Sequence, residues 1–419
     1  SGNNTYSGAT TISDGTLAVT ANNALGTNAA GTTIASGATL DLQNVTYSTT
    51  EGLTVNGGTI KTSAGTSSFA GDITLGATST ADVGGTQLTL SGIISGLGFG
   101  LTKTSSGILV LSGTNTYTGV TTINAGTLSV GTIGDGGVAG NLGQATNSAS
   151  NLVLGGGTLQ YTGSTASTDR NFTITAGTTG TFDITTNTLT ISGSAAATSG
   201  NLTKTGSGIL ILTGTNLQTG IVTLNAGTLS VGAIGNGGST SSNLSASSNA
   251  NTNLVLGNGT LIYTGAGETS DRAFTITTGT TGTFDITTNT LTLAGATGTT
   301  TPGGLYIIST GRLNLTGVNT YSGATTISQA TLAITGSGSL GSGSYAGAIA
   351  NNGGAFIYSS SATQTLSGII SGSGTLTKDI GSSSVLTLSN ASNSYSGITT
   401  ISAGTIAISA DANLGTAST

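Results

Sequence analysis

The sequence predicts an all-β solenoid, a fold in which the chain winds through stacked turns of short strands. Three observations predict it. One phrase of sequence recurs five times, apolar and polar residues alternate within each copy, and no stretch shows the spacing of an amphipathic helix. A recurring phrase of this kind indicates stacked, nearly equivalent units rather than one globular core built around a single active site.

The five copies share a polar turn, two short strands and a fixed spacing. They read NNTYSGATTISDGTLAV at Asn3–Val19, TNTYTGVTTINAGTLSV at Thr114–Val130, TNLQTGIVTLNAGTLSV at Thr215–Val231, VNTYSGATTISQATLAI at Val318–Ile334 and SNSYSGITTISAGTIAI at Ser392–Ile408. In the third copy, Val222 and Leu224 flank Thr223, and Leu229 and Val231 alternate in the same way after a glycine. Alternation with a period of two residues predicts half-buried strands.

A glycine separates the two strands of the phrase in four of its copies. It is Gly15, Gly126, Gly227 or Gly404, and Ala330 takes this position in the fourth copy. Glycine at a fixed turn position predicts a positive φ or a close backbone approach. Because alanine disfavours a positive φ, Ala330 indicates that not every copy requires a positive φ at this position.

A longer period joins the copies into larger modules. The stretch GTTGTFDITTNTLT is identical at Gly177–Thr190 and Gly279–Thr292. We therefore predict one continuous β-solenoid over residues 1–419, with internal modules at about 1–100, 101–201, 202–303 and 304–419, and Pro302 at a module boundary. If each turn takes about 20–25 residues, the chain makes about 17–20 turns and forms an elongated rod about 80–100 Å long, because stacked strands lie about 4.8 Å apart.

Composition excludes several classes of site. The chain has 72 glycines, a net charge of −6 with 5% charged residues, and no Cys, Met, Trp or His. Disulfides, soft metal ligation and Ser–His–Asp or Cys–His catalysis are therefore excluded, and no cofactor is expected. Seven Lys and Arg residues cannot form the basic stripe that nucleic-acid binding requires. No apolar run reaches the length of a membrane-spanning helix.

The few charged residues recur from module to module. Asp183 and Asp285 occupy equivalent positions, as do the pairs Asp169–Arg170 and Asp271–Arg272. A catalytic site is normally built once, so we interpret these recurring charges as structural, capping turns or pairing locally. Lysines also recur in the LTK element, where we predict solvated or edge-protecting charges; they are Lys103, Lys204 and Lys378.

Tyrosine occupies one position of the phrase in four copies. These candidate site residues are Tyr6, Tyr117, Tyr321 and Tyr395. The simpler interpretation is that each ring packs at a corner of the solenoid and stacks along it. The alternative is an aromatic interaction ladder that contacts a glycan or a protein partner.

The segment SGILVLSGTNTYTGVTTINAGTLSV at Ser106–Val130 resembles the autotransporter-associated β-strand repeat. The third copy departs from the pattern, since Asn216, Leu217 and Gln218 replace the sequence NTY. The resemblance implies a right-handed parallel β-helix, exported to the bacterial surface as the passenger of an autotransporter. Such passengers usually end in an outer-membrane β-barrel, which the precursor of this chain is then expected to carry. Nothing in this segment resembles that barrel, so we do not expect the segment itself to insert into a membrane.

The function that we expect is that of a non-enzymatic, extracellular bacterial solenoid, acting as a surface fibre, stalk or adhesive passenger. Neither terminus carries an evident polar cap, so open strand edges predict end-to-end self-association into filaments. Glycans and other surface proteins are further candidate partners of the chain, and nucleic acid is not expected as a partner. The alternative is a β-helix that binds or cleaves polysaccharide, and its cleavage activity would require a cleft with convergent carboxylates. Outward threonines could also order water as ice does, but outward positions mix Thr, Ser, Asn and Gly.

Overall fold

The structure is a computed structural model of the chain, and it describes residues 2–298, 303–381 and 384–416. Pro302 lies outside the described residues. The described chain is all-β, with parallel strands stacked as a β-solenoid of about 18 turns. The predicted fold class and number of turns are therefore confirmed, whereas the right-handed winding and the module boundaries stay predictions. The chain divides into two compact units, Ser1–Gly214 and Thr215–Thr419.

The first unit contains strands β1 to β24 and one 3-10 helix, Ala149–Asn151. The strands are β1 (Thr10–Ile12), β2 (Thr16–Val19), β3 (Thr32–Ile34), β4 (Thr39–Leu42), β5 (Thr46–Tyr47), β6 (Leu53–Asn56), β7 (Thr59–Thr62), β8 (Thr66–Phe69), β9 (Ile73–Ala77), β10 (Ser79–Val83), β11 (Gln87–Leu90), β12 (Ile94–Ser95), β13 (Leu101–Thr104), β14 (Ile108–Leu111), β15 (Thr121–Ile123), β16 (Thr127–Val130), β17 (Leu152–Leu154), β18 (Thr158–Tyr161), β19 (Ala166–Thr168), β20 (Thr173–Ile174), β21 (Thr179–Ile184), β22 (Thr188–Ile191), β23 (Asn201–Thr205) and β24 (Ile209–Leu212).

Among its described residues, the second unit contains strands β25 to β47 and three 3-10 helices, Asn251–Asn253, Gly341–Gly343 and Asp411–Leu414. The strands are β25 (Val222–Leu224), β26 (Thr228–Val231), β27 (Leu254–Leu256), β28 (Thr260–Tyr263), β29 (Glu268–Ser270), β30 (Thr275–Ile276), β31 (Thr281–Ile286), β32 (Thr290–Leu293), β33 (Gly304–Ile308), β34 (Arg312–Leu315), β35 (Val318–Asn319), β36 (Thr325–Ser328), β37 (Thr331–Gly336), β38 (Ser339–Leu340), β39 (Ser344–Tyr345), β40 (Ile349–Asn352), β41 (Ala355–Ser360), β42 (Gln364–Leu366), β43 (Ile370–Ser371), β44 (Thr375–Lys378), β45 (Val385–Leu388), β46 (Thr399–Ile401) and β47 (Thr405–Ile408).

Each sheet is a ladder in which a strand pairs in parallel with its counterpart in the next turn. In the first unit, one ladder runs β1-β3-β6-β9-β12 and a second runs β2-β4-β7-β10-β13-β15-β17-β20. In the second unit, the longest ladders run β26-β28-β31-β33-β36-β40-β43 and β29-β32-β34-β37-β41-β44-β46. Parallel pairing keeps equivalent residues in register, so inward rows are mostly apolar, although Lys103 stands in one row between Ala81 and Ile123.

The inward rows form the core. On the β2-β4-β7 ladder, Leu17, Leu40 and Ile60 lie in one register, and Leu40 and Ile60 are almost completely buried. Aromatic rings stack between turns in the same way, as Tyr47 and Phe69 do with centroids 5.4 Å apart and planes inclined by 19°. Burial of apolar surface in such rows stabilises the fold by about 25 cal/mol per Å². Because each turn contacts only its neighbours, this stabilisation is local.

The turn between the two strands of the phrase has the predicted backbone conformation. The four glycines have φ values of 70°, 64°, 62° and 82° at Gly15, Gly126, Gly227 and Gly404. In the fourth copy the positive φ moves one residue earlier, to Gln329 at 62°, which leaves Ala330 free of that requirement.

Candidate functional site

The four tyrosines of the phrase share one hydrogen bond. In each copy the phenolic oxygen lies within hydrogen-bonding distance of the hydroxyl of the threonine four residues later, and that threonine is at the start of the next strand. The pairs are Tyr6–Thr10 at 2.7 Å, Tyr117–Thr121 at 2.6 Å, Tyr321–Thr325 at 2.9 Å and Tyr395–Thr399 at 2.7 Å. The repeated geometry fixes the ring at the corner where the chain enters the strand.

Exposure separates these tyrosines into two groups. Tyr117, Tyr321 and Tyr395 are buried, whereas Tyr6 is 44% exposed. Burial raises the pKa of Tyr117 to about 12, because the charged phenolate would have to form away from water. Tyr321 packs edge-on against Tyr345, which stands outside the repeated position. Of the four, Tyr6 is the one that offers its ring to solvent, and the interaction ladder stays a prediction.

The asparagine that precedes each tyrosine by two residues clamps the corner to neighbouring turns. Asn115 accepts a hydrogen bond from the Ile94 amide at 2.8 Å and donates one to the Asn141 carbonyl at 2.8 Å. Asn393 repeats the first contact at the Ile370 amide, also at 2.8 Å. Our sequence reasoning missed this role. The available signal was that asparagine persists in all five copies, including the third, which lacks the tyrosine; these residues are Asn4, Asn115, Asn216, Asn319 and Asn393.

The lysines of the LTK element are buried, so the prediction that they are solvated or edge-protecting is wrong. Lys103 is 1% exposed, and Lys204 and Lys378 are fully buried. In the strand of Lys103, Leu101 and Lys103 are buried while Thr102 is partly exposed. The alternation with a period of two residues that predicts the strand therefore also predicts an inward lysine. The sequence prediction gave more weight to the charge of the residue than to this alternation.

Backbone carbonyls replace water around these ammonium groups. Lys103 Nζ donates to the carbonyls of Thr104 and Ser105, each at 2.7 Å, and to that of Ala125 at 3.2 Å. Lys378 Nζ donates to the Ile380 carbonyl at 2.7 Å and lies 5.8 Å from the ring centroid of Tyr358. The inward lysine thus satisfies carbonyls of the strand-to-strand turn from inside the solenoid.

Burial lowers the pKa of Lys103 and of Lys204 to about 8 from 10.5. Between these two pKa values the unfolded chain holds a proton that the folded chain has released, so stability should rise with pH through this window. We expect the free energy of unfolding to increase by about 1–2 kcal/mol per lysine between pH 7 and pH 9.5, since one pKa unit corresponds to about 1.4 kcal/mol. Urea unfolding followed by circular dichroism measures this change, and the sequence has no His or Cys that would titrate in the same range.

Two variants provide the comparison for this pH dependence. Lys103→Met should reduce the rise in stability by about half, because Lys204 still contributes. Lys61→Met should leave the rise intact, because Lys61 is 35% exposed and pairs with Asp82 at 3.2 Å. An identical pH dependence in the parent chain and the Lys103→Met variant would refute the assignment.

Two excursion loops leave the solenoid at equivalent places. The first excursion loop is residues 131–148, after β16, and the second is residues 232–250, after β26. Each is held from inside by a buried arginine. Arg170 Nε donates to the Gly134 carbonyl at 2.8 Å, and its Nη2 donates to that of Gly143 at 2.7 Å. Arg272 Nε donates to the Gly235 carbonyl at 3.0 Å.

The aspartate before each arginine caps the same loop. Asp169 Oδ1 accepts from the Gly136 amide at 2.7 Å, and Asp271 Oδ1 accepts from the Gly237 amide at 2.7 Å. The prediction that these recurring charges cap turns is confirmed. The arginines do more than the sequence suggested, because one guanidinium organises carbonyls from several positions of an irregular segment.

The other recurring aspartates make contacts between turns. Asp183 Oδ2 accepts from Gln160 Nε2 at 2.8 Å, and Asp285 Oδ1 accepts from Ser309 Oγ at 2.5 Å.

Among the described residues, no group of three or more His, Cys, Asp or Glu side chains is placed to hold a metal ion. Over the same residues, the helices are all too short or too polar to cross a membrane.

Outward positions of the first unit form rows of hydroxyl groups. On the ladder that begins with β2, the row consists of Thr16, Thr39, Thr59, Thr80, Thr102 and Thr122. On the ladder that begins with β1, it consists of Thr11, Thr33, Thr54, Thr74 and Ser95. Two residues after the threonines of the first row, the charged residues Asp41, Lys61 and Asp82 lie in register on adjacent strands. The mixture of charged and hydroxyl side chains does not favour an ice-ordering face.

These features define a β-solenoid repeat protein whose corner tyrosines, glycine turns and buried cations recur at equivalent positions along the chain. The family model described as passenger-associated-transport-repeat matches residues 1–19, 101–130, 202–231, 309–334 and 383–408. The chain is also 34% identical, over 449 aligned residues, to the adhesin BmaC autotransporter of Brucella suis biovar 1 (strain 1330). The resemblance to autotransporter passenger repeats that the sequence suggested is therefore confirmed.

The alignment with the Brucella protein covers 82% of this chain and 13% of that relative. The chain thus spans a small part of the relative's length. No solved structure matches the chain.

Proposed function

We propose that this chain is a non-enzymatic, surface-displayed segment of an autotransporter passenger, and that its solenoid carries adhesive surfaces outside the bacterial cell. The observation that carries the proposal is the repeat itself, because passenger repeats occupy five positions along the chain and the similar Brucella protein is named an adhesin. The recurring charges support a scaffold, since Asp169, Arg170 and Lys103 bind backbone groups of the chain itself.

Bead adhesion tests this proposal. Beads coated with the purified chain should be retained on cultured epithelial cells several-fold more than beads coated with serum albumin. Antibodies against the chain should label intact source cells, and external protease should remove that label. Equal retention of both kinds of bead would contradict the adhesive role. Release of reducing ends from polysaccharide by the purified chain, lost in Asp183→Ala or Asp285→Ala, would contradict the non-enzymatic role.

We also propose that copies of the chain stack end to end. The proposal rests on the strand edges of a β-solenoid, because their unpaired backbone N–H and C=O groups can pair with a strand of another copy. Electron microscopy over a concentration series should show filaments with an axial repeat of about 4.8 Å. Single particles at every concentration would rule this assembly out.

A further inference from the structure

A polar groove runs across three successive turns of the first unit. It has a volume of about 330 Å³. One wall is the hydroxyl row Thr33, Thr54 and Thr74, which lie in register on β3, β6 and β9. Asn28 and Asp72 also line it. Because the three threonines come from adjacent strands, their hydroxyls repeat at about 4.8 Å along the groove.

Two glycines produce the groove. Directly before β3, β6 and β9, a second outward row of the same ladder contains Gly31, Gly52 and Asp72. The amide of Thr32 donates to the Gly52 carbonyl at 2.9 Å, and the amide of Leu53 donates to the Asp72 carbonyl at 2.9 Å, so these positions stack in register. The row therefore lacks side chains at two consecutive turns and regains one at Asp72, which closes one end of the depression.

The space above Gly52 is open. A Cβ atom built at this position meets no other atom within 4 Å, and the φ of Gly52 lies outside the left-handed region. Neither backbone conformation nor packing therefore requires glycine at position 52. The residue keeps the groove open rather than allowing a turn, which distinguishes it from Gly31, whose φ is +73° and whose Cβ would lie 2.8 Å from the Gly52 carbonyl.

We infer that this groove binds an extended, neutral glycan chain along the solenoid axis. The inference rests on the proposed adhesive function and names its ligand class. Threonine hydroxyls both donate and accept hydrogen bonds, and a carboxylate accepts strong ones, so the lining suits a ligand covered in hydroxyl groups. The strand spacing is close to the length of one sugar ring in an extended chain, so each turn presents one hydroxyl to one ring.

The groove is arranged for binding rather than for cleavage. Hydrolysis of a glycosidic bond normally uses a pair of carboxyl groups that flank it. Of the described lining residues, Asp72 alone has a carboxyl group. The neighbouring Glu51 is 1% exposed and accepts hydrogen bonds from the hydroxyls of Thr32 and Tyr47, the latter at 3.0 Å. Its carboxyl group thus lies inside the solenoid, out of contact with the ligand.

Filling the groove tests the inference. The purified chain is titrated with cello-oligosaccharides and chito-oligosaccharides of two to six rings, by isothermal calorimetry. Affinity should rise up to the length that three turns accommodate and then level off. Gly52→Gln should weaken binding at least tenfold. The matched control is Gly84→Gln, because Gly84 is exposed, has an ordinary φ, and its Cβ would lie 3.8 Å from the nearest atom, the Thr62 carbonyl oxygen.

Circular dichroism of both variants confirms that each is folded before binding is compared. The inference would be overturned if neither the cello-oligosaccharides nor the chito-oligosaccharides bound at millimolar concentration. It would also be overturned if the Gly52→Gln and Gly84→Gln variants bound with equal affinity. Bead adhesion by the Gly52→Gln variant separates this inference from the proposed function. Glycan binding that is lost while adhesion persists would assign adhesion to another surface. If the chain binds oligosaccharides but its beads do not adhere to cells, the glycan-binding inference is supported and the proposed adhesive function is contradicted.

Discussion

Replacement of Arg272 by methionine should release the second excursion loop while the first stays ordered. Methionine keeps much of the buried volume but removes every guanidinium donor. The Nε and Nη1 groups that bind the Gly235 carbonyl at 3.0 Å and Ser247 Oγ at 2.9 Å are lost. We expect a loss of about 3–5 kcal/mol of local stability, because each buried acceptor left without a donor costs about 1–3 kcal/mol.

Amide hydrogen exchange measured by mass spectrometry reports this change segment by segment. Protection should collapse in residues 232–250 and remain in residues 131–148, where Arg170 is intact. Arg312→Met is the matched control, since Arg312 is only partly buried and donates to Asn314 on the same strand at 2.6 Å. Uniform loss of protection along the chain would show that the arginine supports global folding and not one loop.

The rows of the solenoid could be predicted from sequence because strand formation depends on local alternation. The regular inward positions of the two strands in each copy are apolar or threonine, and parallel stacking places the strands of successive turns in register. The positive φ at Gly126 was predictable for the same reason, since a recurring glycine at a fixed position indicates a backbone requirement. These are properties of one turn and its copies.

Contacts between different turns were harder to predict. The sequence predicts a solvated or edge-protecting Lys103. Burying an ammonium group is costly unless it is satisfied, and the carbonyls that satisfy this one belong partly to another turn, at Ala125. Arg170 likewise finds its acceptors in a loop that precedes it by many residues. The groove depends on which outward positions of separate strands come into register, and glycine at two of them looks in sequence like any other turn residue.

The tyrosine position of the phrase should respond to substitution according to burial. Tyr117→Ala removes a fully buried ring and leaves a cavity, so we expect a loss of about 3–5 kcal/mol, the usual cost of truncating a buried aromatic side chain. Tyr6→Ala should cost well under 1 kcal/mol, because Tyr6 is 44% exposed and packs against less of the chain. Hydrogen exchange around each corner, together with urea unfolding, measures both changes.

The third copy of the phrase indicates why the position serves packing. Gln218 replaces the tyrosine there, is fully buried, and donates from Nε2 to the Leu244 carbonyl at 3.1 Å. A position that accepts either a phenol or an amide, both buried and both hydrogen-bonded, requires a filled volume and a satisfied polar group. If Tyr117→Ala instead left stability unchanged and reduced bead adhesion, the aromatic ladder would be an interaction surface. If only Tyr6→Ala reduced adhesion, recognition would be confined to the one exposed ring.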